Sequence, residues 1–382
     1  MLRMGNLISR SQAPLYQLPG LANPCHSMTM YPAIPDQTNV LNQPDLPNVS
    51  VVIPIFNGEF DLPDLLNCLR AQTYPTNRVE YLLVDNGSVD RTPQLLQSYT
   101  ASNASAQGFP SSAAFRSLCE TQIQSSYAAR NTGIRAATGA ILAFTDADCR
   151  PQPTWLYHLV QAFADPSVGI VAGEILALSG NTALERYADR HETLSQKHTL
   201  AHAFCPYGQT ANLAIRRQAL EQVGLFRPYL TTGGDADLCW RIQQQSSWRM
   251  HFAEQAIVQH RHRTTLADLY SQWQRYGRSN RYLHQLHGID LTKDMTLRDY
   301  LYRWSRWLLK EVPRAVTTVS IQECGSAQSR LIDALIDTPI DLLCRRARAQ
   351  GQRYASLPEA ARQMAWLYPA PSQELLTNIS NP

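Results

Sequence analysis

Apolar and polar residues fall in blocks whose period changes along the chain, and the blocks predict strands alternating with helices. Val49-Ser-Val-Val-Ile53 is a β-branched run that reads as a buried strand stopping at Pro54. Asn57-Gly-Glu59 makes a turn, Asp61 caps a helix with Pro63 in its first turn, and Leu62, Leu65, Leu66 and Leu69 form one apolar stripe. The same grammar returns in a strand at 81–84, a polar turn from Asp85 to Asp90 and a helix at 91–99 with Leu95, Leu96 and Tyr99 inward. Residues 100–114 are rich in Ala and Ser and read as a surface insertion, followed by a short strand at 115–119. Residues 126–139 read as a helix closed by a left-handed Gly139.

Further along, Ile141-Leu-Ala-Phe144 is an apolar strand, residues 153–163 a helix with Trp155, Leu159 and Phe163 on one side, and residues 168–172 another buried strand. Residues 182–200 predict one long polar helix, 207–217 a glycine loop giving way to a strand, and 256–260 a last short strand. Strand, turn and helix recurring within about twenty residues is the pattern of an α/β sheet protein.

Candidate chemistry sits at the ends of these strands. The strand at 141–144 runs into Asp146 and Asp148, one residue apart, so that both carboxylates point the same way. Hard oxygen donors of this kind suit Mg²⁺ or Mn²⁺. An isolated Asp-Ala-Asp is more often a solvated turn, and the decision rests on its surroundings. Asp85 and Asp90 end a second strand, and in an open parallel sheet the ligand crevice lies outside the carboxyl ends of the strands. For Asp90 a helix cap is the favoured reading, for Asp85 ligand contact. Arg130 stands just before the acidic strand, suited to pairing with an acid or a diphosphate.

Composition narrows the picture. The 382 residues exceed one ordinary domain, and an apolar share of 44% supports a sizeable core. A net charge of +3 argues against nucleic acid as a partner. Eight cysteines without CxxC spacing read as reduced, with neither a disulfide framework nor a zinc site. No apolar window reaches the length of a membrane span. Residues 1–47, rich in Pro, Asn and Gln, are expected to form a mobile leader, and the expected compartment is the cytoplasm.

Four motifs, Val51-Val-Ile-Pro-Ile-Phe-Asn57, Val84-Asp-Asn-Gly-Ser-Val-Asp-Arg-Thr92, Ala129-Arg-Asn-Thr-Gly133 and Ala143-Phe-Thr-Asp-Ala-Asp148, stand in an order and spacing that resembles the family 2 glycosyltransferases of GT-A fold. The likeness covers roughly residues 49–285. It implies a GT-A domain at 48–288, with a mainly parallel, Rossmann-like sheet flanked by helices, and leaves 289–382 as a helical C-terminal extension. The implied activity is inverting sugar transfer from a nucleotide-diphosphate sugar, of UDP type, to a hydroxyl acceptor on a carbohydrate or lipid-linked molecule, as in cell-envelope glycan synthesis. Pro54, Asn57, Glu59 and Asp85 are implied near the base and ribose, with Arg130 and Asp146 also on the donor, and Asp146 and Asp148 as a DXD motif holding Mg²⁺ or Mn²⁺. His260 is the implied third metal ligand and His262 its reserve. Asn212, Gly234 and Trp240 are implied on the acceptor side.

In Thr231-Thr-Gly-Gly-Asp-Ala-Asp-Leu-Cys-Trp-Arg241, capping of the following helix accounts for Asp235 or Asp237 but not easily for both. The resemblance implies that Asp235 is the catalytic base, with Asp237 as the alternative, although Gly234 stands where the family often has an acid. Gln272-Trp-Gln-Arg-Tyr276 resembles a motif of processive members, with Tyr276 in place of Trp, and is also an ordinary amphipathic helix. Helical stretches at 300–310 and 331–348 mix apolar residues with arginines, and packing on the domain is the first expectation. Binding a partner, or peripheral contact with the inner face of a membrane, is the other. Two further readings are a nucleotide-sugar-binding protein without transfer and a nucleotidyltransferase. The second lacks the glycine-rich or basic phosphate loop it needs after the first strand, and the first predicts loss of acids that are present.

Overall fold

The computed structural model describes residues 46–105, 113–321 and 326–368. Its elements run in the order β1 (Val49–Ile55), α1 (Leu62–Arg70), β2 (Val79–Asp85), α2 (Thr92–Ser105), β3 (Ala114–Cys119), α3 (Ser126–Ala136), β4 (Ile141–Phe144), β5 (Cys149–Pro151), α4 (Trp155–Gln161) and β6 (Val168–Ala177). There follow α5 (Ala183–Arg190), α6 (Gln196–Leu200), β7 (Leu213–Arg216), α7 (Arg217–Val223), α8 (Gly234–Gln245), β8 (Arg249–His260), α9 (Leu266–His287), α10 (Leu297–Arg306), α11 (Val312–Ile321) and α12 (Ser326–Tyr354).

The strands form one sheet in the order β3-β2-β1-β4-β7-β6-β8-β5. The β3-β2-β1-β4 half is parallel, β7 runs antiparallel to β4 and β6, and β8 returns parallel to β6. Such a half needs a crossover helix between successive strands and cover on both faces. Both are present: Val51, Ile53, Leu83 and Ala143 face one apolar layer with α1 and α4, while Val52, Leu82, Val84 and Leu142 face the other with α3 and α7. Every residue of β1 and β4 is buried, which explains why their sequences are continuous apolar runs.

Several expectations are corrected in detail. β1 passes through Pro54 to Ile55. Pairing with β4 ends at Val52↔Phe144, so Pro54 stands beyond the last ladder pair on that side and its missing N–H costs nothing. α3 ends at Ala136, and Gly139 is no left-handed cap: a Cβ there would lie 2.6 Å from the Ser50 backbone nitrogen, so glycine is required by close approach. The expected helix at 182–200 is two helices. Thr182 and Glu185 close a capping box on α5, Glu192 takes a left-handed φ of 45°, and Ser195 caps α6. α2 runs on to Ser105, so residues 100–105 of the expected insertion are helical, and residues 106–112 lie outside the described residues.

The leader expected at 1–47 also lies outside them, save its last two positions. These are docked: Arg78 donates to the Leu46 carbonyl at 2.7 Å and Tyr74 to that of Pro47 at 2.6 Å. Cysteines 68, 119, 149, 239 and 344 are free.

The C-terminal helices are no loose appendage. α12 crosses α9 where two glycines meet: a Cβ at Gly277 would overlap the Arg348 carbonyl, and one at Gly351 the Gln274 carbonyl. Ile340 and Cys344 of α12 are buried with Leu269 of α9 and Tyr187 of α5. Leu357 and Ala361 then enter the core layer of α7 and α8, and Leu225 N donates to the Ala365 carbonyl at 2.8 Å.

Candidate active site

The C-terminal ends of β1, β2 and β4 bring the donor-side residues to one sheet edge. Asn57, at a left-handed φ of 50°, donates its backbone N–H to Ser88 Oγ and accepts from Val89 N, both at 2.9 Å. Glu59 N donates to Asp90 Oδ2, and Glu59 Oε2 accepts from Arg91 N and Nε. The loops after β1 and β2 are thus stitched together. Asp85 closes β2 with its Oδ1 accepting from Ser88 N, and Asp90 accepts from Thr92 N at the head of α2, as a cap would.

A second wall lies beyond β4. A cleft of about 160 Å³ is lined by Asp146, Thr210, Asp235, His260, Arg263 and Arg275, with Gln272 and Tyr276 of α9 beside them. These residues come from widely separated segments, so only the tertiary fold assembles them. Asp146 is held by Arg130, whose Nη2 approaches Oδ1 at 2.5 Å. Arg130 is buried and its Nε finds no partner among the described residues.

Asp235 and Asp237 occupy the first turn of α8, yet neither caps it: Gly233, at φ 80°, is the N-cap. One turn of sequence sends them in opposite directions. Asp235 is half-buried at the cleft, accepting from Thr210 N and Thr210 Oγ1 at 3.2 Å each. Burial pushes its carboxyl above the usual range, with Asp146 adding to the rise and Arg130 and Thr210 opposing it. Asp237 is fully buried between Arg227 at 3.1 Å, Arg241 at 3.0 Å and His287 at 3.0 Å. Despite its burial, Arg241, the His287 hydrogen bond and Arg227 hold it far below the usual range.

Asp148 and His260 meet next to this cleft, through the pairing Cys149↔His260 of β5 and β8. Asp148 Oδ1 lies 3.3 Å from His260 Nε2, and a ligand atom of Cys149 falls within 4.8 Å of both. His260 Nδ1 donates to the Arg261 carbonyl at 2.7 Å, leaving Nε2 as the free donor atom towards Asp148. Two donors of one octahedral ion at about 2.1 Å stand about 3 Å apart, so carboxylate and imidazole fit such an ion. Cys149 does not join them. Its sulfur is fully buried against the Ala211 carbonyl, and burial pushes the thiol well above its ordinary value, keeping it neutral. Asp146 directs its carboxylate to Arg130 and is not among the ligand atoms that meet there. His262, named in reserve, turns instead to a separate cavity of about 440 Å³.

Three expected acceptor residues are committed elsewhere. Asn212 is fully buried, donating to the carbonyls of Glu174 and Ala256 at 2.7 Å and accepting from Trp155 Nε1 at 2.8 Å. Trp240 is buried in an aromatic cluster with its Nε1 on the Cys205 carbonyl. Gly234 N donates to Tyr127 Oη, and a Cβ there would strike the Tyr127 ring. Sequence reasoning missed Arg263, Arg275 and Thr210 as cleft residues. The two arginines had a visible signal in Arg261-His-Arg263 and in the 272–276 motif, Thr210 none.

Residues 50–224 match the family model described as glycosyl transferase family 2, and residues 141–309 match glycosyl transferase family group 2. The chain is 36% identical over 217 residues to glycosyltransferase AglE of Haloferax volcanii, covering 56% of this chain and 67% of that protein. It is 31% identical over 237 residues to the pre-mycofactocin glycosyltransferase of Mycobacterium tuberculosis, covering 61% of this chain and 46% of that protein. Among solved structures it is similar to the mannosyltransferase PcManGT from Pyrobaculum calidifontis in complex with GDP-Man and Mn²⁺, with a TM-score of 0.52 at 20% identity over 81% of this chain and 88% of that one.

Proposed function

The chain belongs to glycosyl transferase family 2, is a glycosyltransferase of GT-A fold, and from that premise we propose that it moves a sugar with inversion from a nucleotide-diphosphate donor, of UDP type, to a hydroxyl acceptor. The observation that carries this reading is the meeting of Asp235, Asp146, His260, Arg263 and Arg275 at one cleft beside the C-terminal ends of the strands.

The donor's base lies against Asp85 and the stitched loops of Asn57 and Glu59, with Pro54 at the end of β1. Asp148 and His260, with Asp146 adjacent, would hold Mg²⁺ or Mn²⁺, which when bound supplies positive charge to the departing diphosphate. Arg263, whose Nη2 lies 4.0 Å from Asp148 Oδ2, and Arg275 add fixed positive charge beside this pair, and the orphan Nε of Arg130 is a donor waiting for an oxygen. Asp235 accepts the acceptor hydroxyl's proton as that oxygen attacks the anomeric carbon. Its raised pKa makes it a better base than an ordinary carboxylate, and no protein nucleophile is required. Asp237 serves to fix α8, and so Asp235, in place.

The acceptor side is reassigned from Asn212, Gly234 and Trp240 to the 440 Å³ cavity, which shares Ile175 and Leu194 with the cleft and is edged by Asp189, Glu192 and Glu254. Hydroxyl-rich acceptors suit such acceptor-heavy walls. Residues 48–288 are the catalytic domain in this account and 289–382 its extension, whose described residues complete the packing. A screen of nucleotide sugars with Mn²⁺ or Mg²⁺ tests the reading by release of nucleoside diphosphate. It fails if no donor is turned over, or if turnover is indifferent to both chelation and Asp148→Ala.

A further inference from the structure

α10 and the turn after it carry most of their aliphatic residues on the side opposite to that expected of a helix packed on a globular domain. α10 and α11 are joined through a wide helical turn at Trp307–Glu311 and rest on α12 through polar and aromatic groups. Arg303 pairs with Asp341, Trp307 Nε1 donates to the Leu335 carbonyl at 2.9 Å, and Thr338 donates to Glu311 at 2.6 Å. No residue of α10 or of that turn is buried.

The outward face is rich in exposed large apolar residues. Leu297, Leu301, Trp304 and Leu308 recur three and four apart and so form one stripe, with Leu297 75% exposed. Tyr302 and Leu309 are exposed as well, Leu309 at 72%. Scattered exposed apolar residues need no explanation, but six large ones within thirteen residues, Leu297, Leu301, Tyr302, Trp304, Leu308 and Leu309, mark an interaction surface.

Charge decides what covers it. Arg298 and Lys310 are exposed among the apolar residues, and Arg306, also exposed, is paired with Glu311. The two acids of the stretch are engaged, Asp299 in a capping box with Thr296 and Glu311 with Thr338 and Arg306. A second copy meeting this face about a twofold axis would set like charges against one another. An anionic bilayer surface accommodates both features, the apolar side chains entering the acyl boundary and the cations the headgroups. No helix among the described residues is long and apolar enough to cross a membrane, so the contact is one of lying on the surface.

We propose that the outward face of α10 and of the turn that follows it docks on an anionic lipid bilayer. The same α12 that supports this face crosses α9 at Gly277, next to Tyr276 of the cleft, so docking holds the cleft at a fixed attitude to the bilayer. The docking itself does not depend on which sugar or acceptor the site takes.

The test is sedimentation of the full chain with phosphatidylcholine vesicles, with and without phosphatidylglycerol, at low and high salt. The expected result is binding to the anionic vesicles that weakens about tenfold or more on neutral vesicles or in high salt. Leu301→Glu with Leu308→Glu should weaken it roughly a hundredfold, from the lost burial of two leucines. Arg298→Glu with Lys310→Glu should weaken binding to anionic vesicles only. An unchanged melting temperature and unchanged nucleoside-diphosphate binding in these variants show that the fold is intact. Failure of the wild type to sediment with anionic vesicles at low salt overturns the proposal. So does equal binding by the leucine variant, or a solution dimer that the leucine variant converts to monomer.

Discussion

Asp235 and Asp237 lie two residues apart on one helical turn, and replacing each by Asn should separate a chemical role from a structural one. In Asp237→Asn the amide retains shape but leaves Arg241, itself 2% exposed, together with Arg227 and His287 around a site without countercharge. Breaking a buried ion pair from one side costs about 3–5 kcal/mol. Unfolding entropy near 2.1 cal/mol/K per residue gives about 0.8 kcal/mol/K for 382 residues, so the apparent midpoint should fall by roughly 4–6 °C. The pH dependence has a definite sign. The folded carboxyl of Asp237 is held far below its unfolded value, so its contribution is fully present above an unfolded pKa of about 3.9 and is lost as pH falls towards the folded value. Asp235 is the opposite case: its folded carboxyl is raised, so the ionised form opposes folding at neutral pH, and Asp235→Asn should be neutral or stabilising. Differential scanning fluorimetry of the two variants and the wild type between about pH 2 and 8 reads both effects. An Asp237→Asn variant that melts with the wild type, or an Asp235→Asn variant that loses several degrees, refutes the assignment.

Asp148→Ala and His260→Ala should each remove the metal-dependent part of donor binding without lowering the melting temperature, read by calorimetric titration of UDP with and without Mn²⁺. Either variant binding UDP–Mn²⁺ as tightly as the wild type ends the proposed ligand set. Gly277→Ala or Gly351→Ala should destabilise the protein by about 2–3 kcal/mol or more, because the added Cβ meets a backbone carbonyl that cannot rotate away. Measured by urea unfolding, a loss below about 0.5 kcal/mol would show that α9 and α12 do not cross at these glycines. Truncation before residue 340 should leave an unfolded or aggregated chain, since it removes Ile340, Cys344, Leu357 and Ala361 from buried positions. A truncated chain that folds and binds UDP would make the extension separable.

What the sequence made legible was what is local. Apolar runs gave β1, β2 and β4, and the polar residues directly after them marked the sheet edge where the candidate site lies. The helix at 182–200 was misread because its apolar spacing continues across residues 191–195, while the break depends on Glu192 adopting a left-handed backbone and Ser195 taking up a cap. The roles of Asp237 and Asn212 were not legible at all. Asp237 is claimed by Arg227, Arg241 and His287, and Asn212 by Trp155, Glu174 and Ala256, partners that only the folded chain brings near. How closely the extension packs was not legible for a related reason: its helices are rich in charge, and the contact that binds α12 to α9 is made through glycines, which carry no apolar signal.

The central claim is that Asp235 takes the proton from the acceptor. Once a donor is found, single-turnover transfer by Asp235→Asn, with donor binding measured alongside, addresses it directly. The account predicts a fall of roughly 10² to 10⁴ in the transfer rate with donor affinity and melting temperature retained, and, in the wild type, a rate that rises with pH through a pKa above the ordinary carboxylate range. Transfer by Asp235→Asn at the wild-type rate, with the same pH profile, would contradict it.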